Sequence, residues 1–209
     1  MRLVIGDIHG ESGKLRRLLA LRHNGTPLSE YPILFLGDYI DRGKDSRGVI
    51  EIVRSIPNAI CLRGNHEELA SKRYLYATWM NNGGEKTPES FGGEIPEDIL
   101  AWMRDLPLVH HEKIGGRDYY FSHAGFSPGE KIIPQYEAAL EGYSHTVLWE
   151  RDHMYSSNVW EATVVCGHTP IEEPLVSERL IALDTGAVFG YALSAALITE
   201  AGVKIFSAE

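Results

Sequence analysis

Polar and apolar positions along the first seventy residues follow two different periods. RLVIG (2–6), ILFLG (33–37) and AICL (59–62) are short unbroken apolar runs, the length expected of strands buried on both faces. Between them, KLRRLLALR places Leu15, Leu18 and Leu19 on one helical face. The next polar stretch does the same with Val49, Ile52, Val53 and Ile56. A further helix is expected from about Glu67. This strand–helix–strand–helix–strand order predicts a parallel sheet covered by helices, and so an α/β fold.

The middle of the chain is less regular. NNGGEKTPESFGGEIP (81–96) is polar and rich in glycine, and its length suits a loop or part of a cap better than a linker. A plain connection and a lid are equally open readings of 81–94, and any small cap falls within 78–110. Ile95, Ile99, Trp102 and Leu106 then mark one side of a helix. After Pro107, DYYFSH (118–123), TVVCGH (163–168), RLIALDTG (179–186), LSAALIT (193–199) and VKIFS (203–207) read as strands with short connections. A second, mixed sheet is the economical expectation. The length of 209 residues fits one domain spanning 1–209.

Composition narrows the function classes. A hydrophobic share of 44% and a charged share of 23% are ordinary for a globular chain with a full core. The net charge of −9 argues against a nucleic-acid polymer as partner. Cys61 and Cys166 are far apart in apolar runs and read as small buried hydrophobes of a reducing compartment. MRLVIGD enters a strand pattern at once, so no signal peptide is expected. AVFGYALSAALI is too short for a membrane span. A cytoplasmic protein without a membrane partner is the expectation.

Five of the apolar runs end in the same kind of chemistry. RLVIG leads into Asp7-Ile8-His9-Gly10, and ILFLG into Asp38-Tyr39-Ile40-Asp41-Arg42-Gly43. AICL leads into Arg63-Gly64-Asn65-His66-Glu67, DYYFS into His123-Ala124-Gly125, and TVVC into Gly167-His168-Thr169-Pro170. Carboxyl ends of strands in α/β sheets converge on one rim, where sites are built. Each match is weak alone; five in order behind five strands are specific. Carboxylate, imidazole and amide donors suit a pair of divalent ions such as Mn(II), Fe or Zn(II). One of the two Gly-Asp aspartates is the natural bridge between them. Two dications against two carboxylates and one hydroxide leave a positive centre that attracts phosphate despite the acidic chain.

GDIHG, GDYIDRG, RGNHE, HAG and GHTP resemble, in order, the signature blocks of the phosphoprotein phosphatase superfamily, within the calcineurin-like metallophosphoesterases. The likeness runs from residue 6 to about 190 and is strongest to the short bacterial and phage-type serine/threonine and tyrosine phosphatases. NGGEKTPESFGG and LDTGAVFG also resemble segments of diadenosine tetraphosphate hydrolases. The resemblance implies a two-sheet β-sandwich flanked by helices (αββα) and two divalent metal ions, Mn(II) first and Fe or Zn as alternatives. It implies Asp7 and His9 on one metal, Asp38 bridging, and Asn65, His123 and His168 on the other. His66 is then the general acid, oriented by Asp41. Arg42, Arg63 and, in LWERD, Arg151 grip phosphate oxygens. His-Ala-Gly stands where many members have His-Gly-Gly, a change of one methyl.

The implied reaction is direct phosphomonoester hydrolysis by a metal-bridging hydroxide, without a phosphoenzyme. The implied substrate is phosphoserine or phosphothreonine on a protein, with phosphotyrosine and small phosphoesters also within reach. Hydrolysis of dinucleoside polyphosphates is the alternative, and a metal-binding regulatory module without turnover is a third reading that the full ligand set opposes. His23, His110, His111, His145 and His153 lie outside the blocks and read as surface or loop residues. Trp149 and Trp160 read as packing residues. The Glu67–Glu68 pair reads as first-turn helix charge, with Glu67 also placed to orient a neighbouring group.

Overall fold

A computed structural model covers residues 1–209. The chain runs β1 (Arg2–Ile5), α1 (Ser12–Ala20), a small hairpin of β2 (Arg22–His23) and β3 (Thr26–Pro27), β4 (Ile33–Phe35), α2 (Ser46–Ser55) and β5 (Ile60–Cys61). Next come α3 (Asn65–Ser71), α4 (Tyr76–Asn81), α5 (Lys86–Phe91), α6 (Glu97–Asp105), β6 (Val109–Ile114) and β7 (Arg117–Ser122). The remainder is α7 (Ile132–Leu140), α8 (His145–Trp149), β8 (Thr163–Cys166), β9 (Leu175–Val176), β10 (Leu180–Ala182), β11 (Leu193–Thr199) and β12 (Gly202–Ala208).

Two five-stranded sheets result, ordered β12-β11-β1-β4-β5 and β6-β7-β8-β10-β9. β1, β4 and β5 are mutually parallel, as are β7, β8 and β10. β11 runs antiparallel to β1, and β12 to β11. The expected second sheet therefore loses two of its strands to the first. LSAALIT and VKIFS form a hairpin that returns to cover the otherwise free edge of β1. β6, with its charged and histidine-rich VHHEKI, was not expected as a strand and pairs along its whole length with β7.

Burial on both faces explains why β1, β4, β8 and β10 hold almost only apolar residues. In β1, Leu3 and Ile5 face the outer core with α1, α2 and α6, while Val4 faces the other sheet. Leu34 lies between the sheets with Val165, Ile181 and Phe121, whereas Ile33 and Phe35 face outward. Val164 and Cys166 point to a third core built with α7 and α8. The inner strands of both sheets are buried on both faces, giving the expected αββα layering. None of the helices is long and apolar enough to cross a membrane.

Candidate metal centre

The carboxyl ends of the parallel strands meet at one rim. Asp7 and His9 follow β1, Asp38 follows β4, and Asn65 and His66 open α3 directly after β5. The expected helix start at Glu67 thus moves forward two residues, putting Asn65 and His66 on its first turn. His123 follows β7 and His168 follows β8, so ligand-type side chains arrive from both sheets. All seven are buried.

The backbone is held out of its ordinary conformations here. Five of the seven non-glycine residues with positive φ are His9 (44°), Asp38 (53°), Asp41 (71°), Arg42 (63°) and His168 (67°). Such angles are costly for residues with a Cβ and persist where surroundings over-determine them. Two glycines make the close approach feasible. A methyl group on Gly64 would lie 2.1 Å from Asp38 Oδ1, and one on Gly167 would lie 2.0 Å from Asp7 Oδ1.

Asp38 is the hub. Its Oδ2 lies 3.3 Å from His9 Nε2, 3.6 Å from His123 Nε2 and 4.0 Å from His66 Nε2. Two groups of donor atoms share it, His9–Asp38–His66 and Asp38–His123–His168, each within 4.8 Å. Asn65 Oδ1 joins the second, 2.8 Å from His123 Nε2 and 2.9 Å from His168 Nδ1. Asp7 lies outside both groups; its carboxylate accepts the His168 backbone N–H at 3.1 and 3.2 Å.

The donor chemistry fits cations. His9 Nδ1 donates to the Ile40 carbonyl at 2.8 Å and His123 Nδ1 to the Leu36 carbonyl at 3.0 Å. In its neutral form each ring therefore turns an Nε2 lone pair toward the centre, the arrangement that metal-binding histidines use. There the His123 lone pair confronts the Asn65 amide oxygen, two acceptors with no proton to share. The Nε2 atoms of His66 and His168 are buried without a hydrogen-bond partner. Burial pushes His123 down to about 4, and burial with His123 alongside pushes His168 to about 2, so both rings stay neutral.

The carboxylates divide. Burial opposes ionisation of Asp38, but His123, His66 and His9 outweigh it and hold the group well below its usual range. Asp7 is raised well above that range by burial, then by Asp184 and Asp38. Asp184, at the end of β10, is itself raised by burial and completes a crowded set of acids. It was not singled out in the LDTG run, whose Gly186 N–H it accepts at 2.9 Å. For His9, burial disfavours charge while Asp38 more than offsets it, raising the group.

Around this centre the arginines diverge. Arg42 Nη1 is 2.8 Å from His9 Nε2, and its guanidinium lies 5.8 Å from the ring of exposed Phe189. Arg151 reaches Thr169 beside His168 at 3.4 Å. Arg63 differs from expectation: its Nη1 is bonded to Glu68 at 2.9 Å, and its Nη2 to the Arg104 and Leu106 carbonyls. The structure turns it to the end of α6 rather than to the centre. His66 Nδ1 is 2.7 Å from Asp41 Oδ2, as the resemblance implies.

Other residues support the centre. Glu67, in the first turn of α3 as expected, is fully buried and accepts the N–H groups of Asp38, Tyr39 and Gly64, each at 2.9 Å. Burial and Asp38 push its carboxyl up to about 8. His153, expected at the surface, is buried against Trp160, with Cys166 3.6 Å away. The 81–94 segment is more than a plain connection, because α4 and α5 fold it onto Asp41 beside the centre.

Residues 2–205 match the model of the calcineurin-like phosphoesterase family. The chain belongs to that family. It is a phosphoester hydrolase of the phosphoprotein phosphatase superfamily, a family of binuclear metal-dependent enzymes, and the residues above are its candidate metal ligands. Serine/threonine-protein phosphatase 1 of Salmonella typhimurium is 29% identical, covering 93% of this chain and 90% of that protein. An asymmetrical bis(5'-nucleosyl)-tetraphosphatase of Geobacillus sp. is also 29% identical, over 92% of this chain and 88% of its own. Among solved structures, a candidate diadenosine tetraphosphatase superposes with a TM-score of 0.68 at 21% identity, covering 100% of this chain and 93% of that one. That likeness concerns the fold.

Proposed function

We propose that this phosphoesterase hydrolyses phosphomonoesters on proteins, phosphoserine or phosphothreonine first, using two Mn(II) ions. The observation that carries the protein-substrate reading is the likeness to serine/threonine-protein phosphatase 1, which runs over 93% of this chain and 90% of that protein.

Asp7, His9, Asp38, Asn65, His123 and His168 would hold the two ions. When bound, the ions supply Lewis acidity toward the phosphoryl oxygens and lower the pKa of coordinated water. Asp38 neutralises charge at the hub and is held by the His66 N–H at 3.1 Å on its Oδ1. Arg42 and Arg151, on opposite sides of the centre, bind phosphate oxygens and align phosphorus. Arg63 contributes by fixing α6 against α3. His66, with Nδ1 tied to Asp41, keeps Nε2 directed at the centre and gives its proton to the departing serine or threonine oxygen. Burial of these side chains excludes bulk water from the reacting atoms.

One observation favours the dinucleoside polyphosphate reading: Phe189 is 58% exposed beside Arg42, an aromatic face next to a phosphate-binding cation. Turnover of a phosphoserine peptide and of diadenosine tetraphosphate, measured in parallel with Mn(II), separates the two. Higher kcat/KM on the peptide is expected. A preference of a hundredfold or more for the dinucleotide would overturn the protein-substrate reading.

A further inference from the structure

Asp41 is completely buried, and an ionised carboxylate there needs donors on both oxygens. His66 supplies one of them. The others come from α4 and α5, a segment outside the five signature blocks. Trp79 Nε1 donates to Asp41 Oδ2 at 2.7 Å, the same oxygen that meets His66 Nδ1. Thr87 Oγ1 donates to Asp41 Oδ1 at 2.5 Å and also receives the Asp41 backbone N–H at 3.0 Å. Ser46 Oγ, 3.2 Å from Thr87 Oγ1, accepts that same N–H at 3.1 Å.

The segment is fitted to this task. Gly84 packs so closely under the Trp79 indole that a methyl group there would lie 2.7 Å from Nε1. The Gly83 carbonyl accepts the Arg42 backbone N–H at 3.0 Å, fixing the residue after Asp41. We propose that Trp79 and Thr87 are positioning residues that lock the Asp41 carboxylate, and through it the direction in which His66 delivers its proton. With one oxygen held by Thr87 and the other shared between Trp79 and His66, the carboxylate plane has no freedom to rotate. His66 is therefore held with Nδ1–H toward Asp41 and Nε2 toward Asp38, so that in its imidazolium form the transferable proton sits on Nε2.

This inference rests on His66 acting as general acid, and the test separates the two. Trp79→Phe keeps the ring and removes the N–H; Thr87→Val keeps the shape and removes the hydroxyl. Asn82→Ala, whose side chain bonds the Thr78 carbonyl and does not touch Asp41, controls for loosening of the segment. Each is assayed with Mn(II) on p-nitrophenyl phosphate, whose leaving group departs without a proton, and on an alkyl phosphate, which needs one. His66→Asn is expected to lose about a hundredfold more on the alkyl ester than on the nitrophenyl ester. Trp79→Phe and Thr87→Val are expected to lose about tenfold more on the alkyl ester. Asn82→Ala is expected to show no such difference.

A second readout uses protein stripped of metal by chelation: the His66 Nδ1 proton resonance, expected to move in both variants and to stay in Asn82→Ala. If His66→Asn fails to distinguish the esters, the general-acid reading falls. If it distinguishes them while Trp79→Phe and Thr87→Val lower both equally, or leave the resonance unmoved, the positioning role is overturned.

Discussion

Three backbone N–H groups, from Asp38, Tyr39 and Gly64, converge on the Glu67 carboxylate and pin the turn that carries the hub aspartate. In a Glu67→Gln variant one amide group would turn its own N–H toward a donor, loosening Asp38 and Asn65 together. Mn(II) affinity measured by calorimetry is expected to fall about 10- to 100-fold with the fold intact; an unchanged affinity would remove Glu67 from this role. Asp38→Asn is expected to lose metal occupancy and turnover together, and a metallated, active variant would contradict its place as the hub. The sequence displayed the centre itself, because Asp38, Asn65 and His168 each stand beside a glycine at a strand end and His123 stands two residues before one. It did not display the supports. A glutamate after Asn-His reads the same whether it caps a surface turn or clamps a buried one. Trp79 and Thr87 acquire their meaning only when α4 and α5 fold over Asp41, a long-range event with no local pattern.

At the scale of elements, apolar runs were legible as strands because burial on both faces leaves no polar position in Leu3–Ile5 or Val164–Cys166. Their sheet membership was not. β11 and β12 carry the same apolar signal as β8 and β10, and only the pairing of Leu197 with Leu3 assigns them to the first sheet. β6 escaped notice because its histidines and charges alternate at a half-exposed edge. α7 offers a test of one element. Its first turn is capped from a distance by Glu161, which accepts the N–H groups of Ile132 and Ile133, both at 3.1 Å. Slight burial pushes the Glu161 carboxyl up, but these bonds outweigh it and hold the group below its ordinary range. A depressed folded-state value means that the stabilisation is present above the unfolded-state value and is lost as pH falls through the folded one. Glu161→Gln is therefore expected to cost a few tenths to about 1 kcal/mol near neutral pH, the exposure of the group keeping it small. The deficit, read by urea denaturation, should shrink and vanish as pH falls below the ordinary carboxylate range. A deficit that persists unchanged into acid would mean that Glu161 stabilises by packing rather than by charge.

Over the whole molecule, the centre gathers buried polar side chains from the ends of both sheets, while the interior between them is filled by Val4, Leu34, Phe121, Val165 and Ile181. Asp38 and Asn65 come from the first sheet, His123 and His168 from the second, and the unfolded chain scatters these donors over more than a hundred residues. Any ion bound by all of them binds the folded state alone and ties one layer of the sandwich to the other. Linkage then fixes the size of the effect. At a free Mn(II) concentration a hundred times the dissociation constant, the native state gains about 2.7 kcal/mol. For a chain of this length each kcal/mol moves the melting temperature by roughly 2–4 °C, so removal of metal by chelation should lower Tm by about 5–11 °C. The same addition to Asp38→Asn should produce little or no shift, since the hub that both donor groups share is gone. If Tm is indifferent to Mn(II) in the wild-type chain, the side chains from the two sheets do not act as one ligand set, and the binuclear reading of this rim is wrong.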